Sequence, residues 1–411
     1  MEHFRKSLKG LFWMGGLRAI IRGFGFVRVA ILARVLSPED FGVFGIASLV
    51  LAFLEIFTET GVNVFLVQKK NNFQEYLDTA WVVSVVRGIF ISVTLFLVAP
   101  AIGSFFSSPE STSIIRFIAL APLIRGFINP SIVGFLKNMQ FSNEFRLRSS
   151  VYIFDGITAI IFSLLLKNPF GIVIGIIAGV LLELILSYIF VKPCPRFGFD
   201  YGYAKEIVSR GKWVTLSGIF NYLAQNSDDI VVARILGSTP LGLYQIAYKV
   251  STLPLTEVTE AVGKVTFPTY TRDNNNKRVL RSNFIYTSLV VFLLVVVFGV
   301  FIYLFPEPII KMLLGEKWLD AAAVLKILAV FGVIRAGIGL CHSLFFAVGR
   351  QDMVAKISFI QFVVLVMFIV PLTKAFGILG AGYSAIVSSL VPLPMVFYFL
   401  TKVLKDDVKS V

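Results

Sequence analysis

The sequence predicts an all-α polytopic membrane protein: twelve transmembrane helices in two six-helix lobes, related by a parallel repeat, with both termini cytoplasmic. Hydrophobic residues make up 57% of the 411 residues, charged residues make up 15%, and the mean hydropathy is +0.84, which is outside the range of ordinary soluble domains. Residues 284–305 and 376–401 carry no charge and exceed the roughly 20 residues needed to span hydrocarbon. Such runs are too long for barrel strands, so we expect helices.

Twelve segments define the predicted spans. They are residues 10–36, 41–66, 79–102, 113–136, 149–166, 170–191, 211–236, 241–267, 283–305, 321–347, 355–373 and 376–401. A cleaved signal is not expected at the N-terminus, because arginines interrupt its apolar run. Cys194 and Cys341 fall in a predicted loop and a predicted span, so no disulfide framework is expected.

The loops between these spans sort by charge. One alternate set, which includes both termini, carries 22 basic residues, whereas the other carries only Lys167, Lys311, Lys317 and Lys374. Basic loops stay on the cytoplasmic side, so both termini are predicted to be cytoplasmic. The same distribution accounts for the net charge of +14 as membrane topology, and no nucleic-acid partner is expected.

An internal repeat organises the chain. Residues 33–47 align with residues 233–247 without a gap, and an Ala-Arg pair, a Leu, a Gly and an Ile-Ala pair are identical in both copies. Residues 116–125 align with 326–335 in the same way. An even number of spans per copy gives parallel lobes whose transport site lies between them near the midplane. We therefore predict an N-terminal lobe over 1–191, a cytoplasmic loop over 192–210 and a C-terminal lobe over 211–411.

With its arginine-rich first span and the block ARVLSPEDFGVFGIA (residues 33–47), repeated in the second half, the chain resembles the oligosaccharide flippases of polysaccharide biosynthesis. These belong to a superfamily that also contains multidrug exporters and the lipid II flippase. The resemblance implies a cargo of polyprenyl-pyrophosphate-linked oligosaccharide, moved from the cytoplasmic to the outer leaflet of the cytoplasmic membrane. It also implies functional partners among glycan polymerases and glycosyltransferases.

Arginines within the spans are the candidate cargo-binding residues. Arg18 and Arg22 lie four residues apart and share one helix face, and Arg28 follows on the same span. Arg125 and Arg335 occupy matching mid-span positions in the two halves. A guanidinium suits the geometry of phosphate, so these arginines could line a cavity for the pyrophosphate. The alternative for Arg18 and Arg22 is snorkelling towards the cytoplasmic headgroups. The alternative for Arg125 and Arg335 is a buried pair, because a snorkel is difficult from mid-span.

Polar and acidic residues form a second candidate set. Asn221 and Gln225 begin a polar stripe on the seventh span and are assigned to cargo binding. The candidates for coupling or gating are Glu55, Glu59, Asp228, Asp229, Glu257 and Glu260. Intramembrane carboxylates commonly bind a coupling ion, here a proton or Na⁺, but they equally serve to neutralise nearby arginines. No metal or other cofactor is expected.

The repeat suggests one gate between the halves. Arg28 corresponds to Asp228 at the 200-residue offset, and residues that face the axis of a two-fold repeat approach each other. We therefore predict that an Arg28–Asp228 ion pair closes the outer side. The alternative places Arg28 against Glu55 or Glu59 within its own lobe.

Two other functions compete with this prediction. A multidrug exporter of the same superfamily is the first alternative, but it is expected to carry a coupling carboxylate on the first span, where this chain has only basic charges. A membrane-embedded glycan polymerase or glycosyltransferase is the second. It would need catalytic carboxylates or a nucleotide-sugar site in a sizeable loop, and neither Asp-x-Asp nor a glycine-rich phosphate loop occurs.

Overall fold

The computed structural model describes residues 2–58, 73–274 and 276–405, and these residues form helices, turns and loops without a strand. The chain divides into two compact units, Met1–Asn226 and Ser227–Val411, and the division falls within one long helix. The predicted lobe boundary at residues 192–210 stays a prediction about domain organisation. The predicted all-helical class is confirmed over the described residues.

Within its described residues, 2–58 and 73–226, the first unit contains eight helices, a 3₁₀ turn and the start of a ninth helix. They are α1 (Glu2–Val35), α2 (Pro38–Phe57), α3 (Phe73–Phe105), α4 (Ser111–Ile118), α5 (Leu120–Gly126), the 3₁₀ turn Pro130–Ile132, α6 (Val133–Lys137), α7 (Phe141–Leu166), α8 (Phe170–Phe190) and α9 (Tyr201–Leu236). The α7–α8 hairpin forms its most extensive helix pair. Helix α1 packs on α7, whereas α4 and α5 pack on α3.

The second unit repeats this pattern of long helices and a hairpin. After the end of α9 it contains α10 (Ser238–Asp273), α11 (Lys277–Leu304), α12 (Pro306–Leu313), the 3₁₀ turn Glu316–Trp318, α13 (Ala321–Ala347), α14 (Gln351–Phe376), α15 (Ile378–Leu390) and α16 (Leu393–Lys405). Helix α13 is central, since it packs on α10, α11 and α15. Its buried side chains include Leu325, Leu328 and Phe345.

Eight helical segments of the described chain are long and apolar enough to cross a membrane, and a bent pair, 109–126 with 130–137, raises the number to nine. The protein is thus an all-helical polytopic membrane protein. Helices α1, α9 and α10 are 34, 36 and 36 residues long. They are not among the nine, because charged and polar residues interrupt their apolar runs. The twelve-span count remains a prediction.

The segment predicted as the span 113–136 is bent in the structure. The structure breaks this segment after Gly126 and turns the chain by 69° at Pro130. The break is closed by Asn129, whose side chain is fully buried. Its amide nitrogen donates to the carbonyl oxygens of Ser187 (3.4 Å), Val191 (3.3 Å) and Pro193 (3.2 Å). Non-helical backbone at membrane depth requires such partners within the protein.

The residues that are identical in the two copies of the repeat are mainly core residues. Ala33, Leu36, Ile46 and Ala47 are fully buried where α1 turns into α2. Three of their counterparts around the α9–α10 turn are also buried, since Ala233 is 0% exposed and Ile246 and Ala247 are 1% exposed, whereas Leu236 is half-buried. The repeated block therefore encodes a packed helix–turn–helix corner in each unit.

The two corners cap their second helices differently. Ser37 accepts a hydrogen bond from the Asp40 amide (3.2 Å), and the Asp40 carboxylate accepts one from the Ser37 amide (2.8 Å), which forms a capping box. In the second unit Gly237 occupies this position with φ of 92°, a conformation that other residues rarely adopt. Both corners are sharp turns, reached by different chemistry.

Candidate functional site

A buried ion pair joins α1 to α7 in the first unit. Arg28 donates to an Asp155 carboxylate oxygen at 2.8 Å, and the two side chains are only 12% and 16% exposed. The other carboxylate oxygen of Asp155 is buried without a hydrogen-bond partner. The sequence analysis gave, as one alternative, an ion pair of Arg28 with Glu55 or Glu59 in its own lobe. In the structure Arg28 binds Asp155 and not Glu55, and Glu59 lies outside the described residues.

Small residues bring the helices close enough to place this pair. A Cβ atom at Gly179 of α8 would lie 2.8 Å from the Asp155 Cβ, and one at Gly175 would lie 2.5 Å from the Ala159 Cβ. On α1, a Cβ at Gly25 would lie 2.6 Å from the Tyr152 hydroxyl. Helices in membranes approach closely through such small residues. Asp155 is therefore held where α1, α7 and α8 meet.

The remaining candidate arginines of α1 lie on its surface. Arg18 and Arg22 are both exposed, and each precedes Arg28 towards the N-terminus of the helix. Arg34 is also exposed but lies in the last turn. From Lys6 to Val35, α1 contains basic residues and no acidic residue. Between Lys6 and Val35 this helix therefore supplies no carboxylate of its own beside these arginines.

A second ion pair links α2 to α5. Arg125 donates to Glu55 at 2.5 Å, and the two side chains are 43% and 27% exposed. Arg87 of α3 donates to the Glu55 carbonyl at 2.5 Å and to the Thr58 hydroxyl at 3.2 Å. Both partners of the Arg125–Glu55 pair were predicted as site residues, but not as partners of each other. The structure brings them together, and Glu55 neutralises an arginine.

A third ionic group, missed by the sequence analysis, joins α7 to α8. Arg148 donates to Glu144 at 3.0 Å and to Glu183 at 2.5 Å. Glu144 is buried, whereas Arg148 is 42% exposed. The sequence signal was available, because Glu183 is the only charged residue of its predicted span. Asp155 is likewise the only charged residue of the predicted span 149–166.

Two neighbouring carboxylates, Asp228 and Asp229, lie on the part of α9 that belongs to the second unit. Asp228 accepts a hydrogen bond from the Tyr244 hydroxyl at 2.9 Å, and Asp229 accepts one from the Gln245 side chain at 2.9 Å. Asp228 is 7% exposed. Asp229 is half-buried, and a neutral donor on α10 holds each of the two carboxylates. The donors on α10, Tyr244 and Gln245, were not predicted.

Arg335 of α13 faces the same helix, α10. It donates to the Tyr248 hydroxyl, and its guanidinium lies 5.7 Å from the centre of the Phe331 ring. The two mid-span arginines that match in sequence therefore bind different partners, a carboxylate for Arg125 and a tyrosine for Arg335. Arg335 is exposed, and a neutral hydroxyl and a ring hold its guanidinium without cancelling its charge, which leaves that charge available to an anion.

The other predicted residues lie apart from these ion pairs. Asn221 and Gln225 are exposed on α9 in the first unit, 3.5 Å apart between the Gln225 amide nitrogen and the Asn221 oxygen. Glu257 is half-buried and Glu260 is exposed on α10. The described residues contain no group of three or more His, Cys, Asp or Glu side chains that could hold a metal ion. The roles of all these residues in binding or coupling remain predictions.

Solved structures share this helical architecture. The inward closed conformation of the lipid II flippase MurJ superposes with a TM-score of 0.73 and 13% identity, covering 95% of this chain and 88% of that chain. An inward-facing multidrug resistance MATE family transporter of the MOP superfamily superposes with a TM-score of 0.69 and 13% identity, covering 94% and 96%. At these identities the likeness establishes the fold alone.

Sequence comparisons define the family. The lipopolysaccharide biosynthesis protein WzxC of Escherichia coli (strain K12) is 23% identical over 399 residues, which cover 97% of this chain and 81% of that protein. Residues 31–323 match the family described as "Polysaccharide biosynthesis protein", and this range is well over half of the chain. The chain therefore belongs to the polysaccharide biosynthesis protein family.

Proposed function

We propose that this protein is a flippase that moves a polyprenyl-pyrophosphate-linked oligosaccharide from the cytoplasmic to the outer leaflet by alternating access. Membership of the polysaccharide biosynthesis family supports the pathway. The observation that carries the cargo assignment is the charge of α1, where Arg18 and Arg22 are exposed and no acidic residue follows Glu2. A pyrophosphate needs such a positively charged shelter, while the lipid tail stays in hydrocarbon.

The ion pairs suggest how the first unit handles an anionic cargo. Arg28 is already compensated by Asp155, so it orients α1 without requiring the cargo. Arg18 and Arg22 lie beyond this fixed point and are the binding residues in the proposal. Arg125 is half-exposed and bound to Glu55, so an arriving phosphate could replace that carboxylate as its partner. Guanidinium groups bind phosphate and carboxylate through the same paired hydrogen bonds.

The finer topology is part of the proposal. Twelve spans in two parallel lobes, with both termini cytoplasmic, are supported by the loop charges and by the two buried helix–turn–helix corners. Helices α1, α9 and α10 would then cross the membrane facing protein or water, because their charged residues exclude a purely lipid environment.

We propose that the second unit couples transport to the movement of an ion. Asp228 and Asp229 would take up a proton or Na⁺, with Glu257 and Glu260 further along α10 as additional candidates. The proposed outer gate pairs Arg28 with Asp228, which requires Arg28 to exchange its present partner, Asp155. Partnership with glycan polymerases and glycosyltransferases follows from the proposed cargo.

A multidrug exporter remains the alternative, but a cationic drug would be repelled by the arginines of α1.

Glycan export in cells that lack the chromosomal copy tests the function. We expect Arg22→Ala to abolish surface polysaccharide while the protein remains in the membrane. Arg34→Ala provides the matched control, because Arg34 is exposed on the same helix but lies in its last turn. Full export by a well-expressed Arg22→Ala protein would refute the role of α1. Extrusion of a cationic dye by the wild type, without glycan export, would favour the exporter.

A further inference from the structure

An open groove of 610 Å³ lies on the first unit, between α3, the α4–α5 segment and the start of α8. Its walls are mainly apolar and include Phe96 and Leu97 of α3, Phe117 of α4 and Phe170 of α8. Arg116 is the only charged residue that lines it. This groove is formed by none of the residues assigned to cargo binding, coupling or gating.

The wall that α3 contributes is a surface for hydrocarbon. Val93, Phe96 and Leu97 are 51%, 53% and 71% exposed, and they lie on one face of the helix. An exposed apolar stripe on a membrane-spanning helix contacts lipid chains. The groove is therefore open to the bilayer, and part of an acyl chain can lie against this wall.

The charge of Arg116 is not neutralised by a carboxylate in the described part of the chain. Its guanidinium lies 5.2 Å from the centre of the Phe96 ring. The arginines at positions 28, 125 and 148 of the same unit each bind a carboxylate. Arg116 differs from them by being an exposed cation that faces an apolar groove, and such a site attracts an anionic group.

The position of Arg116 near the end of its helix indicates which anion it can bind. Helix α4 begins at Ser111, and five residues of helix place Arg116 about 8 Å from that end. Side chains on a helix lean towards its N-terminus, so the guanidinium extends towards Ser111. In the proposed orientation this end faces the outer surface, and a snorkelling arginine reaches the phosphate level there. Ser113, which also lines the groove, lies on the same face and can donate a further hydrogen bond.

We propose that this groove binds an anionic phospholipid of the outer leaflet, with the lipid phosphate on Arg116 and an acyl chain against Phe96, Leu97 and Phe117. The occupant follows from charge complementarity: a lone cation at headgroup depth favours a net negative lipid over a zwitterionic one, whose own cation is repelled. The site rests on the proposed orientation and is independent of the identity of the cargo.

Native mass spectrometry of the purified full-length protein tests the site. The protein is incubated with equimolar phosphatidylglycerol and phosphatidylcholine, and the bound lipids are counted. We expect the wild type to favour phosphatidylglycerol by about tenfold, because Arg116 repels the choline cation of phosphatidylcholine and not the neutral glycerol headgroup. Arg116→Gln should remove most of this preference, and Arg116→Lys should keep part of it. Lys317→Gln, which removes an exposed cation from a predicted outer loop, should leave it unchanged.

A second variant tests the groove without altering the charge. Val93→Trp places a large side chain in the groove at an exposed position, so folding should be unaffected while phosphatidylglycerol retention falls several-fold. Unchanged retention in both Arg116→Gln and Val93→Trp would overturn the proposal. So would a loss of glycan export by Arg116→Gln with undiminished phosphatidylglycerol retention, because the guanidinium would then serve the cargo. Loss of the lipid preference with export intact supports the lipid site, whatever the outcome for Arg22→Ala.

Discussion

Neutralising Asp155 tests whether its ion pair with Arg28 stabilises the first unit. In Asp155→Asn the side chain keeps its shape but Arg28, only 12% exposed, loses its counter-charge. Removing one partner of a buried pair costs roughly 3–5 kcal/mol, because a charge is left uncompensated. The slight exposure of both side chains argues for the lower end of that range. The double variant, Arg28→Gln with Asp155→Asn, leaves no such charge and should be more stable than the worse of the two single variants.

A double-mutant cycle on unfolding free energies in detergent micelles measures this effect. We expect an interaction energy of at least about 1 kcal/mol, since contacting charged groups couple by roughly 0.5–3 kcal/mol. Asp320→Asn is the control, because this carboxylate is exposed at the start of α13 and should change stability by no more than about 0.5 kcal/mol. Additive single effects, within the error of the cycle, would refute the ion-pair argument.

Three further predictions concern helix packing, the second ion pair and the proposed gate. Gly175→Val should lower the yield of monodisperse protein, because its Cβ would lie 2.5 Å from the facing alanine of α7; an unchanged gel-filtration profile would contradict this. Exchanging the charges of Glu55 and Arg125 should change stability by less than about 1 kcal/mol, since the pair is partly exposed, while glycan export measures any binding role of the guanidinium. Either Arg28→Ala or Asp228→Ala alone should impair transport more than the double change, and equal or greater impairment by the double variant would exclude the gate.

The helical class followed from the sequence because long apolar runs indicate side chains that are buried in lipid or protein. The repeated block at residues 33–47 was also informative, since most of its identical residues are buried contacts of a helix corner. The break after Gly126 was missed, although Pro130 stands in the predicted span. A proline shows where a helix can bend, but the 69° turn depends on Asn129 finding carbonyl partners about 60 residues later in the chain.

The charged residues of the site were easier to find than to pair. Glu55 and Arg125 were both predicted, but a 70-residue separation gives no sign that they meet. Asp155 is the only charged residue of its predicted span, so no spacing along the helix marks its partner. Its position depends on Gly175 and Gly179, which let α8 approach α7. Such contacts among three helices depend on packing, and the spacing of residues along a single helix does not predict them.

The hydrogen bonds of Asn129 also constrain the order in which the first unit can be completed during synthesis. Its side chain needs the carbonyl oxygens of Ser187, Val191 and Pro193, which lie 58, 62 and 64 residues later in the chain. At roughly 5–20 residues per second, a ribosome needs several seconds to supply them. During that interval the bent helix carries unsatisfied polar groups, so water or the insertion machinery must shelter it. The polar groups of the native bend find all their protein partners only after the loop that follows α8 has been synthesised.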